Sequence, residues 1–221
     1  MPISHDRYPK DAFNLVHGIL SSRASASTFG LQGLTAADPR TLSVAMPHRV
    51  ELLDLRDVRR GAIRKSRRAT AREKKRGECW RFLILQERAG GSDDVGAEPP
   101  TTVEAIAAAT AVRDRPRKFR EAEPFRFGGL NQGPFVAETE RAIRRAEALP
   151  EVTKGAFEAV LLVVPALYVT TLWLQDLPSR EAGDDSGEAD LLLPMPNSNP
   201  ALKLAGPLPA AAFLKALRGL P

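Results

Sequence analysis

The longest uncharged stretch of the chain covers residues 159–174 and reads AVLLVVPALYVTTLWL. Most of its residues are β-branched or aromatic, which favours a strand, and Pro165 inside a helix would cost about 3 kcal/mol. After Pro165 neither alternating face is clearly polar, so the pattern predicts a centrally placed, buried strand that is interrupted at this proline. A helix of this length would span roughly 24 Å, less than the roughly 30 Å of a bilayer core, so we expect no membrane span.

Apolar residues at helical spacing predict four helices. Residues 101–112 contain strong helix formers behind a capping threonine and Glu104, which is a typical helix start. Residues 135–149 combine an apolar stripe with a charged opposite face, and residues 209–220 open with a proline at the first position. A shorter helix is predicted at residues 11–20.

Alternation of apolar and polar residues predicts further strands. Residues 41–55 alternate around an interruption at Pro47, and we place a strand at residues 49–55. Residues 79–86 form its expected partner, with one face made by Trp80, Phe82 and Ile84. A short strand at residues 190–195 is expected to form a hairpin with the long apolar strand through an acidic loop.

These elements predict a single α+β domain over residues 1–221, with a small antiparallel or mixed sheet, flanking helices and long irregular loops. A basic excursion is expected at residues 56–76. Linker-like loops are expected at residues 87–100 and 178–189, where glycine, proline or acidic residues accumulate.

Composition indicates the size of the hydrophobic core and the cellular compartment. Hydrophobic residues make up 43% of the 221 residues, which is enough for a sizeable core. The one cysteine, Cys79, precludes an internal disulfide, and the first ten residues lack the apolar region of a secretory signal. We therefore expect a cytoplasmic location.

The net charge of +5 comes mainly from residues 56–76, which hold eleven lysines and arginines against two acidic residues. Such a segment could bind a polyanion with an affinity that falls steeply with salt. The alternative is a solvated loop or helix, and the segment lacks interleaved aromatic residues for base stacking. The candidate polyanion-binding residues are Arg59, Arg60, Arg64, Lys65, Arg67, Arg68, Arg72, Lys74, Lys75 and Arg76.

Motifs in the sequence predict no catalytic residue, no cofactor and no metal site. The three histidines, His5, His17 and His48, are far apart and match no HExxH pattern. Cys79 is the first residue of a predicted buried strand, which favours an inert thiol over a nucleophile. The GxSxG elbow of serine hydrolases is absent from the sequence.

Two weaker patterns point toward phosphate chemistry. Residues 128–133 read GGLNQG before a predicted helix, but Pro134 stands where a phosphate-binding loop needs lysine, so a turn is the better interpretation. Asp54 with Glu73 and Lys74 matches in outline the carboxylates and lysine that hold a divalent metal against a phosphate. Because Glu73 and Lys74 fall within the basic run, we do not expect this arrangement to form.

No motif assigns the chain to a named family. The sequence favours a non-enzymatic cytoplasmic interaction or accessory protein with a protein partner, and it leaves room for a homo-oligomer. The alternative is a nucleic-acid or other polyanion-binding protein that uses residues 56–76.

Overall fold

One eight-stranded mixed sheet runs through the part of the chain that the computed structural model describes. The described residues are 3–4, 7–22, 34, 39–61, 63, 78–89, 101–113, 124–184, 186–196, 198–202, 204 and 206–220. The strands are β1 (Leu42–Leu52), β2 (Glu78–Ala89), β3 (Thr101–Arg113), β4 (Arg126–Gln132), β5 (Phe157–Val164), β6 (Val169–Asp176), β7 (Leu191–Pro194) and β8 (Leu208–Pro209). The α-helices are α1 (Lys10–Ser21), α2 (Leu55–Arg60), α3 (Pro134–Glu147), α4 (Pro150–Thr153), α5 (Leu177–Glu181) and α6 (Ala210–Arg218).

The strand order is β4-β3-β2-β1-β5-β6-β7-β8. Strands β1 and β5 are parallel, and every other neighbouring pair is antiparallel, so two four-stranded meanders meet at their first strands. The predicted α+β content and mixed sheet are confirmed. The prediction of a small sheet is wrong, because three stretches contribute more strand than their sequence patterns indicate.

The first of these stretches is the predicted helix at residues 101–112, which is strand β3. Its alanines alternate between two packed faces, with Ala107, Ala109 and Ala111 in one core cluster and Ala105 and Ala108 in another. Small side chains let helices approach this strand closely from both sides. Pairing with β2 along its whole length outweighs the helix preference of alanine, which amounts to a few tenths of a kcal/mol per residue.

The second stretch is β4, which includes Gly128 and Gly129 of the segment predicted as a turn at residues 128–133. The third is the apolar run at residues 159–174, which forms the two strands β5 and β6 instead of one. A short 3₁₀ turn at Pro165–Leu167 reverses the chain between them. Pro165 was therefore predicted correctly as the interruption, and its effect is a complete hairpin.

Strand β1 also begins earlier and ends earlier than the predicted strand at residues 49–55. Its pairing with β2 shifts register between Ala45 and His48, and Met46 there has a positive φ of 47°. The bulge reflects Pro47, which has no backbone N–H to donate to the ladder. The interruption lies inside one strand and does not separate two.

Several predictions about pairing are confirmed. Strands β1 and β2 pair, as do β6 and β7. The side chains of Trp80, Phe82 and Ile84 share one core cluster, as the period of two predicts. Three of the four predicted helices are also present. Helices α1, α3 and α6 coincide, to within two residues at each end, with those predicted at residues 11–20, 135–149 and 209–220.

The helices pack on both faces of the sheet. Arg49 of β1 lies opposite Trp80 on one side and Val160 on the other, so these three side chains point to the same face. Trp80 belongs to the cluster that α1 covers, and Val160 to the cluster that α6 covers. Helix α3 packs against Leu83 and other residues of the opposite face.

The predicted loops are partly regular structure. The expected linker at residues 87–100 begins inside β2, and the segment predicted at 178–189 begins inside α5. The expected basic excursion at 56–76 begins inside α2, and most of it lies outside the described residues. No helix of the described chain has the length and apolarity needed to cross a membrane.

Candidate functional site

Two of the ten predicted polyanion-binding residues, Arg59 and Arg60, lie on helix α2. The other eight, Arg64, Lys65, Arg67, Arg68, Arg72, Lys74, Lys75 and Arg76, lie outside the described residues. The structure therefore describes only the start of the basic segment.

Helix α2 follows β1 almost directly, and both of its ends are defined. The Asp54 carboxylate accepts hydrogen bonds from the backbone N–H groups of Arg56 at 2.9 Å and Asp57 at 3.0 Å, as an N-cap should. Gly61 ends the helix with a positive φ of 72°, which glycine adopts without steric cost. The helix buries Val58 and leaves its arginines on the surface.

Arg56, Arg59 and Arg60 are all exposed, and none of the ion pairs in the described part of the chain involves them. Other arginines of the fold are paired with carboxylates, for example Arg49 with Glu158 and Arg144 with Glu140. The three arginine side chains of α2 are thus available to an external anion.

Helix α6 adds a further cation beside α2. A Cβ built on Gly61 would lie 3.9 Å from the Nη2 atom of Arg218. The Arg218 Nε group donates to the backbone oxygen of Leu214 at 3.3 Å, which fixes the direction of an otherwise exposed side chain. We call Arg56, Arg59, Arg60 and Arg218 the cationic surface.

An exposed aromatic residue lies at the same end of the sheet. Tyr168 forms the tip of the β5–β6 hairpin, is 85% exposed and has a positive φ of 51°. That conformation costs a residue other than glycine roughly 1–2 kcal/mol. Neither backbone preference nor burial therefore accounts for a tyrosine at this position.

Sheet register and packing place the hairpin tip and helix α2 together. Leu52, the last residue of β1, lies opposite Val163 of β5, and α2 begins three residues after it. Val58 of α2 belongs to the same buried cluster as Leu167 and Val169, which flank Tyr168. The cationic surface and the Tyr168 ring therefore belong to one end of the molecule.

A second polar group, centred on Arg49, lies on the sheet face between α1 and α6. The Arg49 guanidinium donates to Glu158 Oε1 at 2.8 Å and to Gln175 Oε1 at 2.9 Å, and it pairs with Glu51 Oε1 at 3.0 Å. The other oxygen of Glu158 accepts a hydrogen bond from Arg180. We call these five side chains the Arg49 network.

The charges of the Arg49 network balance one another. Glu158 and Gln175 are only 6% and 4% exposed, and both oxygens of the Glu158 carboxylate have arginine partners. Buried charges require such pairing, and it is complete for the Glu158 carboxylate. We therefore assign this network a role in the stability of the fold.

The single cysteine is a poor nucleophile. Burial raises the pKa of the Cys79 thiol, and the charge of Arg81 offsets part of that rise. The thiol is therefore protonated near neutral pH, and the thiolate is the reactive form. Burial also lowers the pKa of the Arg81 guanidinium, which lies 5.8 Å from the centroid of the Phe135 ring.

The metal and nuclease patterns do not form a site in the described residues. The Asp54 carboxylate caps helix α2, while Glu73 and Lys74 lie outside the described residues. His17 stacks on Phe13, and His48 is buried within the sheet. No group of three potential metal ligands occurs among the described residues.

A cavity of 510 Å³ lies between helix α1 and strand β1. Its lining is mixed, with four apolar and four polar or charged residues, and Arg40 and His17 are its charged or titratable members. The lining residues are Phe13, His17, Leu20, Ser21, Arg40, Leu42, Ser43 and Val44. This cavity is separate from the cationic surface, because it lies toward the start of β1 and α2 follows the end of β1.

No protein-family model, curated protein or solved structure was found to match the chain.

Sequence reasoning identified the basic character of α2 but missed Tyr168 and Arg218 as its neighbours. Both lie more than a hundred residues from α2 in sequence. The sequence offered one cue for Tyr168, which is a tyrosine three residues after a proline inside an apolar run. No cue pointed to Arg218, which is brought to Gly61 only by the packing of α6.

Proposed function

We propose that the chain is a non-enzymatic accessory protein that binds a polyanion, with nucleic acid as the partner class. The observation that carries the proposal is the cationic surface, in which three exposed arginines of α2 take part in no ion pair among the described residues. Arg218 extends this surface from a different helix. Phosphate groups are the ligands that such arginines bind, through charge-assisted and bidentate hydrogen bonds.

The rest of the basic run strengthens the proposal by charge alone. Residues 64–76 carry eight further lysines and arginines directly after α2. Each cation that neutralises a phosphate releases a counterion, so affinity should fall with salt in proportion to the number of contacts. A polyanion is the partner that uses all of these charges together.

A protein partner is the second candidate function, and one observation favours it. Leu52 is 43% exposed at the end of β1, and the exposed Tyr168 lies at the same end of the sheet. Exposed apolar and aromatic residues beside arginines are typical of protein interfaces. A protein partner with an acidic surface would suit this end of the molecule.

Replacement of three arginines tests the polyanion proposal. We expect the triple variant Arg56→Gln, Arg59→Gln and Arg60→Gln to lose about tenfold or more in affinity for DNA at low salt. The slope of log affinity against log salt should become shallower by about one for each arginine. Fluorescence anisotropy with a labelled oligonucleotide measures both quantities.

The matched control removes three exposed cations that take part in no ion pair among the described residues, with Lys10→Gln, Arg145→Gln and Lys154→Gln. Its net charge equals that of the α2 variant, but its changes lie on α1, on α3 and after α4. Equal losses in the two variants would mean that net charge alone governs binding. That result would contradict a localised cationic surface.

A further inference from the structure

Tyr168 is unexplained by the stability of the fold. Its ring is 85% exposed, so it gains little from burial, and its left-handed backbone would suit glycine better. Strained, exposed positions of this kind point to a role in binding.

Arginines and an exposed aromatic ring at one end of the molecule match the chemistry of unpaired nucleotides. Single strands are bound by cations that follow the phosphates and by aromatic rings on which bases stack. In a duplex the bases are already stacked inside the helix, so an isolated exposed ring gains much less. Arginines can contact the phosphates of single strands and of duplexes alike.

We infer that the end of the sheet carrying Tyr168 and the cationic surface binds single-stranded nucleic acid, with an unpaired base stacked on the Tyr168 ring. This inference rests on the proposed polyanion function and adds a preference for single strands. The fold supplies the aromatic partner that the basic segment lacks in sequence. The hairpin tip presents the ring, and α2 and α6 present the charges.

The buried cluster beneath this surface holds the two parts in fixed relation. Val58 and Ile63 from the α2 region pack with Leu167 and Val169 from the hairpin, and Leu217 of α6 belongs to the same cluster. Recognition groups that are held by a packed core lose little entropy on binding. The arrangement is therefore suited to binding without a large rearrangement.

The test compares two DNA probes with the full chain. We use fluorescein-labelled oligothymidylate of about 16 nucleotides and a duplex of the same length. Tyr168→Gly should weaken binding to the single strand by about tenfold and leave duplex binding within about twofold. This variant suits the positive φ of the site, so it should fold, which circular dichroism verifies.

Two further variants separate stacking from other effects. Tyr168→Phe keeps an aromatic face and should retain most of the single-strand affinity. Tyr168→Trp places an indole at the tip, and its emission should be quenched when oligothymidylate binds. The two native tryptophans, Trp80 and Trp173, are buried, so the signal of the added indole is distinguishable from theirs.

The outcomes distinguish this inference from the proposed function. If Tyr168→Gly binds both probes as the parent does, while the α2 arginine variant loses both, the stacking inference is overturned and polyanion binding stands. An equal loss on single strand and duplex also overturns it. If the parent binds neither probe at low salt, the proposed function fails and this inference fails with it.

Discussion

Trp173→Ala is expected to lower the free energy of unfolding by about 3 to 5 kcal/mol. The Trp173 side chain is 1% exposed and belongs to the cluster that joins β5, β6 and helix α6. Its indole N–H donates to Asp190 Oδ2 at 2.9 Å. The substitution therefore leaves a large cavity and removes a hydrogen bond from a fully buried carboxylate.

Urea denaturation followed by circular dichroism measures this loss. Tyr168→Gly is the matched control, because it removes an aromatic ring from the same hairpin at an exposed position. The control should change the free energy of unfolding by less than about 1 kcal/mol in either direction. A loss below about 1 kcal/mol for Trp173→Ala would place that ring at the surface and contradict the packing described above.

Glu158→Ala is expected to lower the free energy of unfolding by about 3 kcal/mol. The carboxylate is nearly buried and balances two guanidinium groups, those of Arg49 and Arg180. Its removal leaves Arg49 facing a sheet surface with less opposing charge. The expected loss lies at the lower end of the range for broken buried pairs, because both arginines retain some contact with water.

The control for this variant is Glu51→Ala, which removes a carboxylate from the same arginine. Glu51 is more exposed than Glu158 and has one ion-pair partner in the described residues. It should therefore contribute under about 1 kcal/mol. Equal losses for the two variants would show that the Arg49 network does not depend on its buried carboxylate.

Much of the sheet could be predicted because its central strands are long and apolar. The alternation of Trp80, Phe82 and Ile84 identified β2, one of its two buried faces and its partner. The acidic loop before residue 190 indicated the β6–β7 hairpin correctly. In each case the local pattern agrees with the environment that the fold provides.

The rest of the sheet could not be predicted because its local pattern conflicts with its environment. The alanines of β3 favour a helix, and they form a strand because they pair with β2 along its whole length and are covered by helices on both faces. The glycines of β4 favour a turn, and they pair instead with β3. Such tertiary effects are not visible within a window of neighbouring residues.

The candidate site also combines residues that the sequence identifies with residues that only the fold brings together. Composition locates Arg59 and Arg60, since a run of like charges is evident in the sequence. The contribution of Tyr168 depends on the pairing of β1 with β5, and that of Arg218 on the packing of α6. Contacts between residues so far apart in sequence require the fold itself.

The Arg49 network was missed for a related reason. Glu158 immediately precedes the longest apolar run. A charge at that position suggests the solvent-exposed end of a buried segment. Glu158's partners Arg49 and Arg180 lie on other elements and reach it only in the assembled sheet. A charged residue beside a buried strand is therefore worth testing for a partner before it is assigned to the surface.

The salt dependence of DNA binding by the unmodified chain tests the central claim most directly. The measurement is the affinity for oligothymidylate between about 50 and about 200 mM salt. Four arginines on phosphates predict a slope of log affinity against log salt of about −3 or steeper. Absence of binding at about 50 mM salt, or an affinity that does not change with salt, would contradict the assignment of the cationic surface to a polyanion.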